Sequence, residues 1–210
     1  MIKLIAAVCM VIDHIGYIFY PDMLIWRLIG RLSMPLFAYG ITKGYDHSQR
    51  KGTLHRYLKN LVLFTAVSQI PFYLMMGEGW NIGLTWVFSL LLLMILERTD
   101  ISRPRAVSEC VGVLAAAYLL DVDYGIYGVL MPLALRQRRN DRKFLYMVIL
   151  WALYVMMNGA GGLIQVVSCL CIPLLAIIEP LDGKIYLPRR FFYMFYPVHI
   201  LVLLLIHHFL

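Results

Sequence analysis

Residues 2–20, IKLIAAVCMVIDHIGYIFY, form an apolar stretch that is interrupted near its middle by Asp13 and His14. A helix that crosses a bilayer needs about 20 mostly apolar residues, so this stretch is long enough. Lys3 precedes the apolar run, as in a signal peptide, but Asp13 and His14 break the run and no small-residue cleavage site follows it. The stretch is therefore predicted to be a retained first transmembrane helix.

Comparable apolar stretches recur to the end of the chain. Of the 210 residues, 61% are hydrophobic and 15% are charged, whereas a soluble domain averages about 45–50% apolar and about 25% charged residues. The predicted fold is all-α: a single polytopic membrane helix bundle over residues 1–210, embedded in a lipid bilayer. Nine spans are predicted, at residues 2–20, 23–42, 57–76, 82–97, 106–120, 124–136, 144–158, 162–178 and 191–208.

Basic residues alternate from loop to loop. Apart from Lys3 and two arginines in the second span, they lie in loops 43–59, 98–105, 136–143 and 184–190, and the intervening loops contain no Lys or Arg. Because cytoplasmic loops collect Lys and Arg, the N-terminus is predicted to be cytoplasmic. This topology explains the net charge of +7, so no nucleic-acid partner is predicted. The four cysteines lie in apolar runs, and no metal site is predicted.

The two remaining basic residues, Arg27 and Arg31, lie inside the second predicted span. Spaced i, i+4, they share one helix face, at roughly 6 and 12 Å below the outer end. A charge at that depth must face protein or water, and such residues indicate function by default. Asp13 and His14 lie at a similar depth of about 9 to 10 Å on the preceding helix. A cluster of these four residues is predicted, with a purely structural ion pair between Asp13 and Arg31 as the alternative.

Other polar residues map to similar depths on other helices. Each taken alone is more often an interhelical hydrogen bond than a ligand-binding residue. Several helices that contribute at one level favour a lined cavity, with His199 nearer the middle of the membrane. The candidates for substrate or cofactor binding are Gln69, Asn81, Thr85, Asp123, Tyr124, Tyr196 and His199.

Several strings carry a family resemblance that runs from the first helix to the last. They are DHIG at 13–16, RLIGR at 27–31 continuing to PLFA at 35–38, GY at 44–45, SQIPF at 68–72, DYGIYG at 123–128 and YMFYPVH at 193–199. In these strings the chain resembles the TraX family of membrane proteins, named for the F-pilin acetylation protein. The resemblance implies an acyltransferase of the bacterial inner membrane that uses acetyl-CoA or another acyl-CoA as donor. It implies an amine or hydroxyl acceptor, on a peptide or a small molecule.

Chemical roles are assigned within this expectation. Acyl transfer from a thioester needs a base for the acceptor's proton and a donor that stabilises the developing oxyanion. His14 is the expected base, because a neutral imidazole can take and return a proton near pH 7. Arg31 or Arg27 would stabilise the oxyanion or hold a phosphate, with Asp13 as an ion-pair partner. The basic loop 43–59 could meet the coenzyme A phosphates, although topology alone also explains its charge.

Two other classes of function stay open at this stage. Buried charges can form the relay of a proton- or solute-coupled transporter, and the chain could instead be a non-catalytic assembly factor for a pilus or a secreted peptide. Covalent modification of an acceptor would favour the enzyme, and ion flux in liposomes would favour the transporter. The acceptor, the acyl chain and a homo-oligomeric state are not decided by the sequence.

Overall fold

The computed structural model describes residues 1–182 and 189–209, and within them the fold is helical with no β-strand. The predicted loop 184–190 therefore lies largely outside the described residues. The α-helices are α1 Ile2–Phe19, α2 Leu24–Gly30, α3 Ser33–Arg50, α4 Leu54–Met76, α5 Ile82–Leu96, α6 Arg103–Leu119, α7 Gly125–Leu135, α8 Asn140–Asn158, α9 Cys171–Ile178 and α10 Arg189–Phe209. Two 3₁₀ segments, Gly159–Leu170 and Glu179–Leu181, flank α9.

The predicted count of nine spans is wrong. Among the described residues, four helical stretches are long and apolar enough to cross a membrane: Ile2–Phe19, Leu54–Met76, Asn140–Leu181 and Phe191–Phe209. Other predicted spans correspond to shorter helices; α7 has 11 residues, which at ~1.5 Å per residue is about half of a ~30 Å hydrocarbon core.

The predicted second span, 23–42, is not one helix. It breaks at Arg31 and Leu32 into α2 and α3. Pro35 explains the break, because proline has no N–H to bond the Arg31 carbonyl and its ring clashes with that carbonyl. Within the first turn of α3, where N–H groups need no helical partner, the same proline is tolerated.

The predicted span 162–178 also differs from the structure. α8 ends at Asn158, Gly159 adopts a positive φ of 62°, and the chain continues as a 12-residue 3₁₀ segment before α9. A β-carbon on Gly162 would lie 3.0 Å from the Cα of Val155. Glycine is therefore needed at position 162 for the 3₁₀ segment to pack against the end of α8.

The chain folds as two compact units, Met1–Gly40 with Ala134–Leu210, and Ile41–Leu133. In the first unit α1 packs against α2 and α10, and α8 packs against the Gly159–Leu170 segment. In the second unit α5 lies between α4 and α6, and its core contains Phe88, Leu92 and Val129. The predicted single domain over 1–210 stays a prediction.

Much of the helix surface is apolar. On α6 only Ala117 is buried, while Val107, Val111 and Leu119 are exposed. Apolar surface on this scale is unusual in a soluble monomer and suits contact with lipid. The four long apolar helices and this surface identify a membrane protein.

Charged residues of the loops pair locally. The guanidinium of Arg98 lies 2.8 Å from the carboxylate of Asp100, and that of Arg139 lies 2.7 Å from Asp141. The hydrogen bond from Arg98 lowers the pKa of the Asp100 carboxyl below its usual value. These pairs are solvated, so they contribute little to stability.

Candidate functional site

Two glycines allow α1 and α2 to approach closely. A β-carbon on Gly16 would lie 2.2 Å from the β-carbon of Trp26, and a β-carbon on Gly30 would lie 2.1 Å from Oδ1 of Asp13. Any larger residue would push the two helices apart. This contact places the Asp13 carboxylate against α2 at the level of its arginines.

The buried residue Asp13 forms an ion pair with the partly buried Arg27. Nη1 of Arg27 lies 2.9 Å from Oδ2 of Asp13 and also donates to the Asp13 carbonyl at 3.3 Å. The guanidinium lies 5.4 Å from the ring centre of Tyr17, a cation–π contact. Arg31 adds a weaker electrostatic interaction with the same carboxylate. The predicted grouping of Asp13 with the arginines is therefore present, and the hydrogen-bonded partner of Asp13 is Arg27.

His14 is held by the last helix. Its Nδ1 lies 2.7 Å from Nε2 of His199, and the two rings are nearly coplanar and meet edge to edge, with centroids 5.0 Å apart and planes 2° apart. Nδ1 of His199 lies 2.8 Å from the carbonyl oxygen of Phe195. Tyr196 packs edge-on to both imidazoles, 6.4 Å from His14 and 5.8 Å from His199. His199 was predicted nearer mid-membrane than His14, and this hydrogen bond instead places the two rings side by side.

The amide groups of Gln69 and Asn81 bond to each other and to the backbone of the second unit. Asn81 donates to Gln69 Oε1 and to the Thr65 carbonyl, both at 2.8 Å, and its own side-chain oxygen accepts the N–H of Gly83 at 2.8 Å. Gln69 donates to the Gly79 carbonyl at 2.9 Å. The network caps α5 and closes the turn after α4, which explains both amides structurally.

Three more of the predicted binding residues, Thr85, Asp123 and Tyr124, lie in the second unit. The hydroxyl of Thr85 donates to the backbone carbonyl of Asp123 at 2.7 Å. Tyr124 has a positive φ of 60° at the start of α7. A role in ligand binding for Gln69, Asn81, Thr85, Asp123 and Tyr124 stays a prediction.

Sequence reasoning missed a polar cluster in the first unit. The hydroxyl of Tyr39 donates to Glu179, and the ammonium of Lys143 lies 5.3 Å from the ring centre of Tyr39. Lys143 was assigned to a solvated loop, but only 7% of it is exposed. The available signal was its helical register: Lys143, Met147 and Leu150, at i, i+4 and i+7, form the buried face of α8.

Within residues 1–182 and 189–209, no three His, Cys, Asp or Glu side chains come together as metal ligands.

Comparison with protein families assigns the chain. The family model described as "TraX protein" matches residues 1–207. The chain belongs to the TraX family. The resemblance of the DHIG, RLIGR and YMFYPVH strings is thereby confirmed, and two of these strings supply both ends of the His14–His199 contact.

Two curated relatives extend the comparison. The probable fimbrial assembly protein FimC, serogroup H1, of Dichelobacter nodosus is 28% identical, in an alignment that covers 96% of this chain and 92% of the relative. An uncharacterized protein of Rickettsia prowazekii (strain Madrid E) is 46% identical over 70 residues, which are 33% of this chain and 25% of that protein. No solved structure matches the chain.

Proposed function

We propose that this TraX-family protein is a multi-pass acyltransferase of the bacterial inner membrane. It would move an acetyl or other acyl group from acyl-CoA to an amine or hydroxyl. The observation that carries the proposal is the position of His14: an imidazole held by a hydrogen bond within a helix bundle, next in sequence to the partly buried Asp13–Arg27 ion pair. A base that is fixed in place beside fixed positive charge is what transfer from a thioester requires.

The proposed reaction has two proton transfers. His14 takes a proton from the acceptor as the acceptor's nitrogen or oxygen attacks the thioester carbonyl. The carbonyl oxygen gains negative charge, which Arg27 or Arg31 stabilises. The carbon–sulfur bond then breaks, and His14 returns its proton to the departing coenzyme A thiolate. Asp13 keeps Arg27 in place through both steps.

The acceptor class takes its support from one relative. That relative is called a probable fimbrial assembly protein, which favours the N-terminal amine of a pilin-like peptide as acceptor. The same name also supports the rival function, a non-catalytic assembly factor. Covalent modification of the acceptor distinguishes the two.

The experiment follows acyl transfer directly. Protein in lipid nanodiscs would be incubated with isotopically labelled acetyl-CoA and a bacterial lysate from a strain that lacks the gene, and acylated products would be identified by mass spectrometry. His14→Ala and His14→Gln are expected to lower transfer by about 10²- to 10⁴-fold, the usual contribution of a general base. Neither alanine nor glutamine can take up a proton near pH 7.

The matched control is His208→Ala, a change of an exposed histidine near the end of α10, which should leave transfer unchanged. Transfer by His14→Ala within about threefold of wild type would remove His14 from the base role. Absence of any acylated product, together with proton or solute flux in liposomes that depends on His14, would favour the transporter.

A further inference from the structure

Three groups form a hydrogen-bonded chain that ends at His14. The Phe195 carbonyl contacts Nδ1 of His199, and Nε2 of His199 contacts Nδ1 of His14, at 2.8 and 2.7 Å. His199 is 8% exposed, so these are the partners that satisfy a ring shielded from solvent. Because the Phe195 carbonyl can only accept a hydrogen bond, it determines the tautomer of His199 and, through His199, that of His14.

A carbonyl oxygen only accepts hydrogen bonds, so Nδ1 of His199 must carry a hydrogen. In the neutral ring the other nitrogen, Nε2, then has no hydrogen and presents a lone pair. Nδ1 of His14 must therefore donate to it. In the neutral ring, Nε2 of His14 is in turn left without a hydrogen and carries a lone pair that can accept a proton.

We propose that His199 is a positioning residue that holds His14 in the tautomer whose Nε2 can accept a proton. Its catalytic consequence rests on the proposed acyl transfer, whereas the tautomer itself does not. During the reaction one proton moves, from the acceptor to Nε2 of His14, and Nδ1–H stays donated to His199. His199 remains neutral and favours the imidazolium by accepting its hydrogen bond.

Asp13 does not take this orienting role. It is adjacent to His14 on a helix and so points about 100° away, and its carboxylate is bonded to Arg27 at 2.9 Å. The in-plane hydrogen bond between the two nearly coplanar imidazoles and the edge contacts with Tyr196 restrict rotation of both rings. The fixed orientation and the fixed tautomer therefore both come from α10.

The test reads the tautomer without using activity. Protein labelled with ¹⁵N-histidine in nanodiscs would be measured by NMR, with the His14 signals assigned by their loss in His14→Ala. Wild type is expected to show Nδ1 protonated and Nε2 unprotonated at His14. A hydrogen on Nε2 of His14 in the neutral wild-type protein would overturn the proposal.

Two variants of His199 separate positioning from packing. His199→Leu removes the acceptor, so His14 should populate both tautomers. His199→Gln offers a side-chain oxygen to Nδ1–H of His14 and an N–H to the Phe195 carbonyl, so the wild-type tautomer should persist. Since wild type alone already gives a decisive result, misfolding of one variant does not remove the test.

Activity then tests the consequence. His199→Leu should lower transfer by at least about tenfold. The upper bound is the roughly 10⁴-fold loss seen when the orienting carboxylate of a serine protease triad is replaced. His199→Gln should recover most of the loss. If wild type transfers acyl groups and His199→Leu does so at the same rate, the positioning role is wrong and the proposed function stands. If the tautomers are as expected but neither the wild type nor any variant transfers acyl groups, the proposed function fails and the assignment of the His14 tautomer stands.

Discussion

Substitution of Gly30 by alanine tests whether the α1–α2 contact holds the ion pair. The new β-carbon would lie 2.1 Å from Oδ1, 2.3 Å from Cβ and 2.4 Å from Cγ of Asp13. Side-chain rotation alone cannot relieve the contact with Cβ, because Cβ is fixed by the backbone of α1. The helices must separate, and Asp13 must leave Arg27.

The magnitude follows from the contacts that are lost. Forcing extra atoms into a closely packed contact costs about 1–3 kcal/mol, and loss of the partly exposed Asp13–Arg27 pair adds about 1 kcal/mol. Replacement of glycine by alanine within a helix returns at most about 1 kcal/mol, so the expected net loss is about 1–3 kcal/mol. At about 2–4 °C per kcal/mol for a chain of this size, the melting temperature should fall by about 2–12 °C.

The assay is thermal unfolding in a single detergent, with Gly112→Ala as the matched control. Gly112 lies in α6, and a β-carbon there would meet nothing within 4 Å, so this variant should melt at or slightly above the wild-type temperature. If Gly30→Ala has the same melting temperature as Gly112→Ala, the close α1–α2 contact is not what holds Asp13 against Arg27.

Two further substitutions test other parts of the structure, and two experiments test sidedness. Arg27→Ala leaves Asp13 without its hydrogen-bonded ion pair and should lower the melting temperature, whereas Arg98→Ala, at an exposed pair, should not. Asn81→Ala removes the cap of α5 and should cost about 1–2 kcal/mol of unfolding free energy, while Ser102→Ala, at an N-cap whose side chain makes no capping bond, should cost less. The basic loops able to meet coenzyme A phosphates are predicted on the cytoplasmic side and His14 nearer the outer face, so the donor is expected to bind from the cytoplasm and the acceptor to be modified near the outer face. With acetyl-CoA confined to one side of oriented liposomes, transfer should therefore require donor on the cytoplasmic side and acceptor on the outer side. Transfer that occurs only when both are on the cytoplasmic side would contradict this prediction. Single cysteines would be placed, in a cysteine-free background, in the loops centred on Arg50, Arg103, Arg139 and Lys184. They should react with an impermeant reagent only from the cytoplasm, and labelling of two of these loops from outside would overturn the topology.

The sequence predicted local relations better than long-range ones. Helical rise and a two-residue connection were enough to group Asp13 with the arginines, and the ion pair with Arg27 confirms that grouping. His199 could not be placed beside His14 in the same way. The 184 residues between them leave the rotation and height of α10 undetermined, and these follow only from packing against α1.

Two differences between the predicted and the observed structure, at Pro35 and at Lys143, have a signal in the sequence. Pro35 lies four residues after Arg31, the spacing at which proline clashes with a helical carbonyl, and the predicted second span breaks there. Lys143 was counted as a loop residue because of its charge, although its spacing from Met147 and Leu150 matches a buried helix face. The 3₁₀ form of Gly159–Leu170 had no comparable signal, since it depends on close packing against α8.

The Asp13–Arg27 ion pair supports the proposed function better than it explains stability. An apolar pair of similar volume is often as stable as an ion pair shielded from water or more so, and in a membrane helix it would also avoid the cost of placing charge at depth. Asp13 pairs with Arg27 and also interacts with Arg31, so one carboxylate faces two guanidinium groups. In the proposed acyl transfer, Arg27 would stabilise the oxyanion with little reorganisation, because Asp13 already holds its guanidinium in place.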